Sequence, residues 1–379
     1  MAGTVPTLTP GSITGISGLK DRPVFFLNLN GSTTANLVVK GDVAKPDSEI
    51  SIKWGSKLMK NVQNRLVNVK IMAPAEVAVF QQAALAKFPQ NTPERNFASA
   101  AAGTFRWVKM PHVGGLSDAE VFNGTDHADV EKIKELVTKL RDKEVWNELG
   151  KVLAVDIFIG NNDRFAVDSK NSTNEKPGDW INKGNLMFVD NGHGHSVIGL
   201  DFFDPFSQVA NLKTGAAYDG LDILTDPNVR LTFCQNCVRS VGATLKGWLL
   251  KENRSGDLVI AVNGGYELRW IAIDTMETVF QGYFGYLGAG IEEGAQQLRD
   301  YLIHKFGAYK QQNAKATNAA IAAAASAATQ QRKKARYAVQ LSGPGALQPM
   351  QPPRPASPPP SKKSIPEGVL ARMEYLGWL

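Results

Sequence analysis

The chain has 379 residues, enough to bury one large two-lobed core or two modest domains with no need of disulfides or metal to fold. Its formal charge is +6, but residues 310–379 hold ten Lys and Arg against two Glu, a net +8 that leaves −2 on residues 1–309. A basic tail on a nearly neutral body argues against nucleic-acid binding by the folded part.

The opening MAGTVPTLTPGSITGISG has neither the positive start nor the apolar run of a secretory signal, and no stretch of about 18 apolar residues occurs. The expectation is a chain with no transmembrane segment, cytoplasmic or delivered by a non-classical secretion route. The Asn-x-Ser/Thr matches at Asn30, Asn123, Asn171 and Asn253 are then chance spacing. Residues 24–30 (VFFLNLN) and 36–40 (NLVVK) read as strands joined by the turn-forming GSTTA. A helix follows from Asp47, then a strand over 67–73, an Ala- and Gln-rich helical stretch over 75–103, and a strand running into a connector over 105–113.

From Asp129 the spacing is helical, with one exception: NLMFVD and SVIGLDF form a strand pair around NGHGH. A strand-rich first third joined to a helical remainder predicts an α+β chain of two lobes with a cleft between them, where ligands bind. The boundaries expected are 12–113 for the small lobe with its hinge and 114–312 for the helical lobe. Residues 313–342 form an Ala-rich helical segment ending in RKKAR, and 343–379 a Pro-rich tail with a short terminal helix. That tail is a candidate site for a protein partner.

Phosphoryl transfer needs a cation on the phosphates, a carboxylate beside the attacking hydroxyl and oxygen ligands for magnesium. Lys40 ends a strand, and Glu49, nine residues on, is a candidate ion-pair partner for it. In VLAVDIFIGNNDRF an apolar run stops at Gly160 and gives way to Asn161, Asn162, Asp163 and Arg164, which marks a polar loop after a buried helix. The acidic strand pair follows soon after.

DIFIGNNDRF, followed by GNLMF and VIGLDF, resembles the catalytic loop and metal-binding hairpin of actin-fragmin kinase, HipA-type kinases and the phosphoinositide kinase-like families. The resemblance covers roughly residues 12–210 and implies a two-lobed protein-kinase-like fold using ATP and Mg2+. It implies Asp163 as the catalytic acid/base, Arg164 as the residue that positions the loop, and Asn185 and Asp201 as magnesium ligands. Lys40 would meet the ATP phosphates with Glu49 as its helix partner, and Ser17 and Gly18 would belong to the nucleotide-covering loop. FRWVKMPHVGG looks like the hinge, whose backbone near Lys109, Met110 and Pro111 would meet adenine. The implied activity is transfer of the γ-phosphate to a hydroxyl, Ser or Thr of a protein substrate.

Two departures stand beside the matches. The families place the Asn about five residues beyond the Asp, whereas Asp163 and Asn185 are 22 apart here, so Asp168 is a rival metal ligand; Asp190, which ends a strand, is another. The covering loop is also poor in glycine. An alternative function is therefore a catalytically inactive kinase-like module acting through its tail, and a third is nucleotidyl transfer.

Elsewhere, Cys234 and Cys237 form a lone C-x-x-C, read as two buried thiols of a helix in preference to a redox pair or a zinc site completed by His193 and His195. His112 beside the hinge reads as a solvated loop residue, and Tyr283, Phe284 and Tyr286 as core packing.

Overall fold

The computed structural model describes residues 5–43, 48–62, 68–122, 126–161, 186–190, 194–200, 220–262, 265–341 and 367–379. The chain is α+β, a small antiparallel sheet followed by many helices. Strands β1 (Ile13–Gly18), β2 (Val24–Leu29), β3 (Leu37–Val43), β4 (Lys70–Ile71) and β5 (Phe105–Pro111) form one sheet in the order β1-β2-β3-β5-β4. Every pairing is antiparallel. The turn after β2 runs through Asn30 and Gly31, both at positive φ, the residue types that adopt this conformation at least cost. Helix α1 (Ser48–Val62) connects β3 to β4.

Side chains alternate across a sheet, so its two faces meet different surroundings. On one, Phe25, Leu27, Leu37, Val39 and Trp107 are buried under helix α2 (Pro74–Lys87), whose Phe80 ring lies 4.9 Å from both the Phe25 and Trp107 rings. Val5 and Leu8 of the N-terminal arm close the same core. On the other face Val108 and Met110 join the main core with Leu58 and Met59 of α1.

The sequence predicts one helical stretch over 75–103. Instead α2 stops before Pro89, because a proline forces the residue before it out of the helical region, and α3 (Pro93–Ala98) restarts after a turn with Asn91 at φ 66°, with Pro93 at its first position, where the missing N–H costs nothing. The expected strand over 67–73 is reduced to β4, and the Gly- and Ser-rich opening contributes β1, which residue type alone did not mark.

The remainder is built from α4 (Asp118–Phe122), α5 (Val130–Leu140), α6 (Lys143–Ile159), the hairpin β6 (Leu186–Asp190) and β7 (His195–Gly199), α7 (Asp222–Thr225) and α8 (Pro227–Lys251). A second hairpin, β8 (Asp257–Val262) and β9 (Glu267–Ala272), precedes α9 (Met276–Val279), α10 (Phe284–Leu341) and α11 (Glu367–Tyr375). This second hairpin corrects the expectation of a single strand pair here: six-residue strands between helices are easily read as part of the helical run.

Carboxylates cap three of these helices as their sequence neighbours require: Asp129 accepts from the backbone of Glu131 and Lys132, Asp142 from Glu144, and Asp226 from Asn228 and Val229. Helix α6 is the spine. Twelve of its 17 residues are buried: Val152–Ile159 without a break, so that half is covered on all sides, whereas Lys143, Glu144, Asn147, Glu148 and Lys151 keep a polar stripe along the first half. Helix α10 crosses it backbone to backbone: a Cβ on Gly290 would lie 2.0 Å from the Asn147 carbonyl oxygen, and one on Gly150 would lie 2.3 Å from that of Leu287.

The C-terminal segment docks against this spine. Val369, Met373 and Trp378 are buried, and the Trp378 ring stacks on Phe158 at 5.5 Å between centroids. No helix among the described residues is long and apolar enough to cross a membrane.

Two glycines of α10 test the close crossing. Gly290→Ala forces α6 and α10 apart and is expected to cost about 1–3 kcal/mol or more in urea unfolding. Gly307→Ala, where an added Cβ meets nothing within 4 Å, is expected to be neutral or stabilising by up to ~1 kcal/mol.

Candidate functional site

The sheet register decides which side chains share the open face. Lys40 pairs with Val24 on one side and Val108 on the other, Phe26 with Val38, and Val38 with Met110. Partners across a ladder point the same way, so Val24, Phe26, Val38, Lys40, Val108 and Met110 lie on one face. Ser17, opposite Phe26, joins them.

Val24, Phe26, Val38 and Lys40 are only half-buried, in contrast to their neighbours on the sealed face. This leaves an apolar strip with an ammonium at its end. The Lys40 ammonium stands 3.3 Å from the Asp42 carboxylate, two residues along the same strand. The turn linking β1 to β2 sits at this end too, since the Gly41 N–H donates to the Pro23 carbonyl at 2.8 Å. His112 meets the Phe26 ring edge-on at 5.8 Å. Glu49 lies on α1, but its side chain is outside the described residues.

Two predicted site residues face away from this strip. Gly18 pairs with Phe25, and an added Cβ there would press on the Phe25 ring at 3.0 Å, so the glycine answers a packing demand of the sealed face. Lys109 pairs with Val39 and is 3% exposed, its ammonium held by the Glu76 carboxylate and by the Pro6 carbonyl at 2.6 Å. Only the backbone of Lys109 is therefore available as a hinge, whereas Met110 shares the face of Lys40 but is buried there in the main core, and Pro111 ends the strand opposite Leu37 on the sealed face.

Burial pushes the Glu76 carboxyl up, but the Lys109 ammonium and the N–H groups of Leu8 and Ala73 outweigh this and hold it below its ordinary value. This arm-to-helix anchor was not visible in the sequence.

Just beyond β5 the chain runs beside the β6–β7 hairpin. Leu116 and Phe188 exchange two backbone hydrogen bonds of 2.8 Å, and Gly115 fits because any Cβ would strike Val189, Met187 and the Phe188 carbonyl. Within the hairpin Leu186 pairs with Gly199 and Asp190 with His195. Asn185 and Asp201 are outside the described residues. Asn185 immediately precedes Leu186 and Asp201 follows Gly199 by two residues, so the chain leads to both from the same end of the ladder.

Asp190, at the opposite end, is a different kind of group. Its Oδ1 accepts from the buried Lys139 ammonium and lies 2.7 Å from His195 Nδ1. Lys139 pulls its carboxyl below the ordinary range, burial opposes, and His195 adds to the lowering. The Asp142 carboxylate, the cap of α6, accepts from the His195 N–H at 3.1 Å, which pins the hairpin tip to the start of that helix.

At the other end of α6 the chain turns at Gly160, φ 76°, into the polar loop. Asn161 is buried, its amide donating to the Asp156 carboxylate at 3.0 Å and its N–H to the Asp156 carbonyl at 2.8 Å. From the C-terminal segment, the buried Arg372 donates to the Ile159 carbonyl at 3.5 Å. Asp163, Arg164 and Asp168 lie outside the described residues. Sequence reading missed Asp156 and Arg372. Asp156 carried one signal, a lone carboxylate inside an apolar run.

Cys234 and Cys237 are buried in α8; burial raises the Cys234 thiol to about 12, against Arg230, and the Cys237 thiol well above its usual value. Both are protonated thiols at neutral pH, poor nucleophiles. Among the described residues no three His, Cys, Asp or Glu side chains gather as a metal would need. Tyr283 packs on Trp146 at 5.9 Å and donates to the Arg141 carbonyl, so this aromatic belongs to the core. No protein-family model matches the chain, and no curated protein or solved structure is significantly similar to it.

Lys109→Met strands the Glu76 carboxylate and is expected to cost about 3–5 kcal/mol at pH 7. Because the Glu76 pKa is lowered by folding, the stability it supplies is present above its unfolded value of 4.5 and fades as pH falls through the lower folded value. Urea unfolding at pH 7 and in acid is therefore expected to show a gap between wild type and variant that narrows in acid.

Proposed function

We propose that this protein is a phosphotransferase of the protein-kinase-like type, with the β-sheet as the small lobe and the helical remainder as the large one. It moves the γ-phosphate of ATP, with Mg2+, to the hydroxyl of Ser or Thr in a protein substrate. The observation that carries the reading is the half-open sheet face ending in Lys40, joined by the Leu116–Phe188 bridge to the hairpin that leads into Asn185 and Asp201.

The residues fit a magnesium nucleotide. Val24, Phe26 and Val38, next to the buried Met110, offer an apolar strip suited to a flat base, and Lys40 at its end, beside the β1–β2 turn, suits phosphate oxygens. ATP supplies the transferable phosphoryl group and magnesium screens its charge. Lys40 draws the phosphates toward the sheet, with Glu49 as its partner on α1, and Ser17 lies on the same face. Asp163 aligns the acceptor hydroxyl and takes its proton, and Arg164 holds the loop. Positioning and fixed charge supply the rate.

Asn185 and Asp201 are the assigned magnesium ligands. Asp190 is engaged by Lys139 and His195 at the far end of the hairpin, which favours Asp201 over it. Asp168 remains the rival within the loop.

The experiment is incorporation of label from γ-labelled ATP, with magnesium, into the chain itself and into added protein acceptors. Asp163→Ala is expected to lower incorporation by ~10²–10⁴-fold with the melting temperature unchanged. Undiminished incorporation in that variant overturns the assignment. Label carried from α-labelled ATP instead marks nucleotidyl transfer, and nucleotide binding without any transfer marks the inactive module.

A further inference from the structure

The β8–β9 hairpin stands apart from the proposed nucleotide face and carries the most exposed aromatics of the described chain. Tyr266 is 95% exposed, Trp270 63% and Leu268 52%. Leu258, Ile260 and Ile271 face the core, whereas Leu268 pairs with Ala261 and Trp270 with Val259 on the outer side. The result is an apolar outer face on a ribbon of only two strands, and β9 has no strand on its second edge among the described residues. Exposed edges with apolar side chains are templates for further pairing, and two-stranded sheets gain most from it.

The sequence of that edge names its partner. Residues 266–270 read Tyr-Glu-Leu-Arg-Trp, which is self-complementary when reversed. Antiparallel pairing with a second copy about a twofold at Leu268 sets Glu267 opposite the partner's Arg269 and Tyr266 opposite the partner's Trp270. Leu268 meets the partner's Leu268. Registers centred on Glu267 or Arg269 would instead set like charges against each other, which is unfavourable. Glu267 and Arg269, two apart on β9, lie 2.6 Å from each other on one face of the ribbon, the face on which the partner's opposite pair would meet them.

We propose that β9 is the seam of a homodimer in which two hairpins join into one four-stranded antiparallel sheet about a twofold axis at Leu268. Such an interface is isologous, each subunit offering the same edge. It gathers Tyr266, Leu268 and Trp270 of both copies into a single cluster on the outer face, reducing their exposure. The inference is independent of the phosphotransfer reading.

Sedimentation of the full chain over a concentration series tests it. Wild type is expected to shift from 41.1 kDa toward twice that mass as concentration rises. Arg269→Glu and Glu267→Arg alone are each expected to weaken association by at least about tenfold, since each sets like charges across the seam. A 1:1 mixture of the two is expected to restore the dimer, because one chain then carries two acids on this strand and the other two bases. As a check that does not rely on charge variants, Leu268→Cys is expected to form a disulfide-linked dimer under mild oxidation, the native thiols being buried. A wild type that stays at 41.1 kDa throughout overturns the proposal, and so does a dimer that neither charge variant weakens.

Discussion

Burial of α6 on every side from Val152 to Ile159 is the constraint around which the helical part of this chain is arranged. A helix with apolar residues all round must be covered all round. Helix α10 covers it at backbone contact through Gly150 and Gly290, β7 packs along it, and Trp378 closes it from the C-terminal segment. Each contact also fixes something polar. The N-terminal cap, Asp142, holds the hairpin tip through His195, and the C-terminal end hands the chain to Asn161 in a buried exchange with Asp156. Asn161 and the tip of the β6–β7 hairpin are thus both held by α6, one at each end.

The sheet obeys a second constraint, period-two alternation. It gives Lys40 and Lys109 opposite fates although they sit on neighbouring strands. Lys109 falls on the sealed face, where a cation persists only with a carboxylate beside it, and Glu76 meets that need while also holding Leu8 and Ala73. Lys40 falls on the half-open face, where Asp42 is its near neighbour and solvent still reaches it. One lysine ties the N-terminal arm to α2 and the sheet, and the other stands half-buried on the face that the sheet leaves part-open.

Much of this was legible in the residues. The strands at 24–29 and 37–43, the connector strand from Phe105 and the hairpin around residues 191–194 follow from apolar alternation and turn chemistry, which are local. The stop of α6 at Gly160 was marked by an abrupt change from apolar to polar, also local. What was illegible depends on pairing at long range. That Gly18 serves the Phe25 ring, and that Lys109 turns inward, follow only once the register of the ladder is known. Arg372 reaches Ile159 from 213 positions away, and no periodicity near either residue announces it. The second hairpin escaped notice because its strands are short and β8 is a continuous apolar run from Leu258 to Val262, so only β9 shows the polar alternation of an ordinary exposed ribbon.

The account stands most directly on whether the Lys40 face takes a magnesium nucleotide. Thermal unfolding with increasing Mg2+ and ATP is the measurement, run on wild type and on Lys40→Met, which keeps an unbranched side chain and removes its charge. A ligand at 100 times its Kd adds about 2.7 kcal/mol to native stability, so the wild-type melting temperature is expected to climb by several degrees, with little or no rise in the variant. No climb in wild type, or an equal climb in both, would contradict the account.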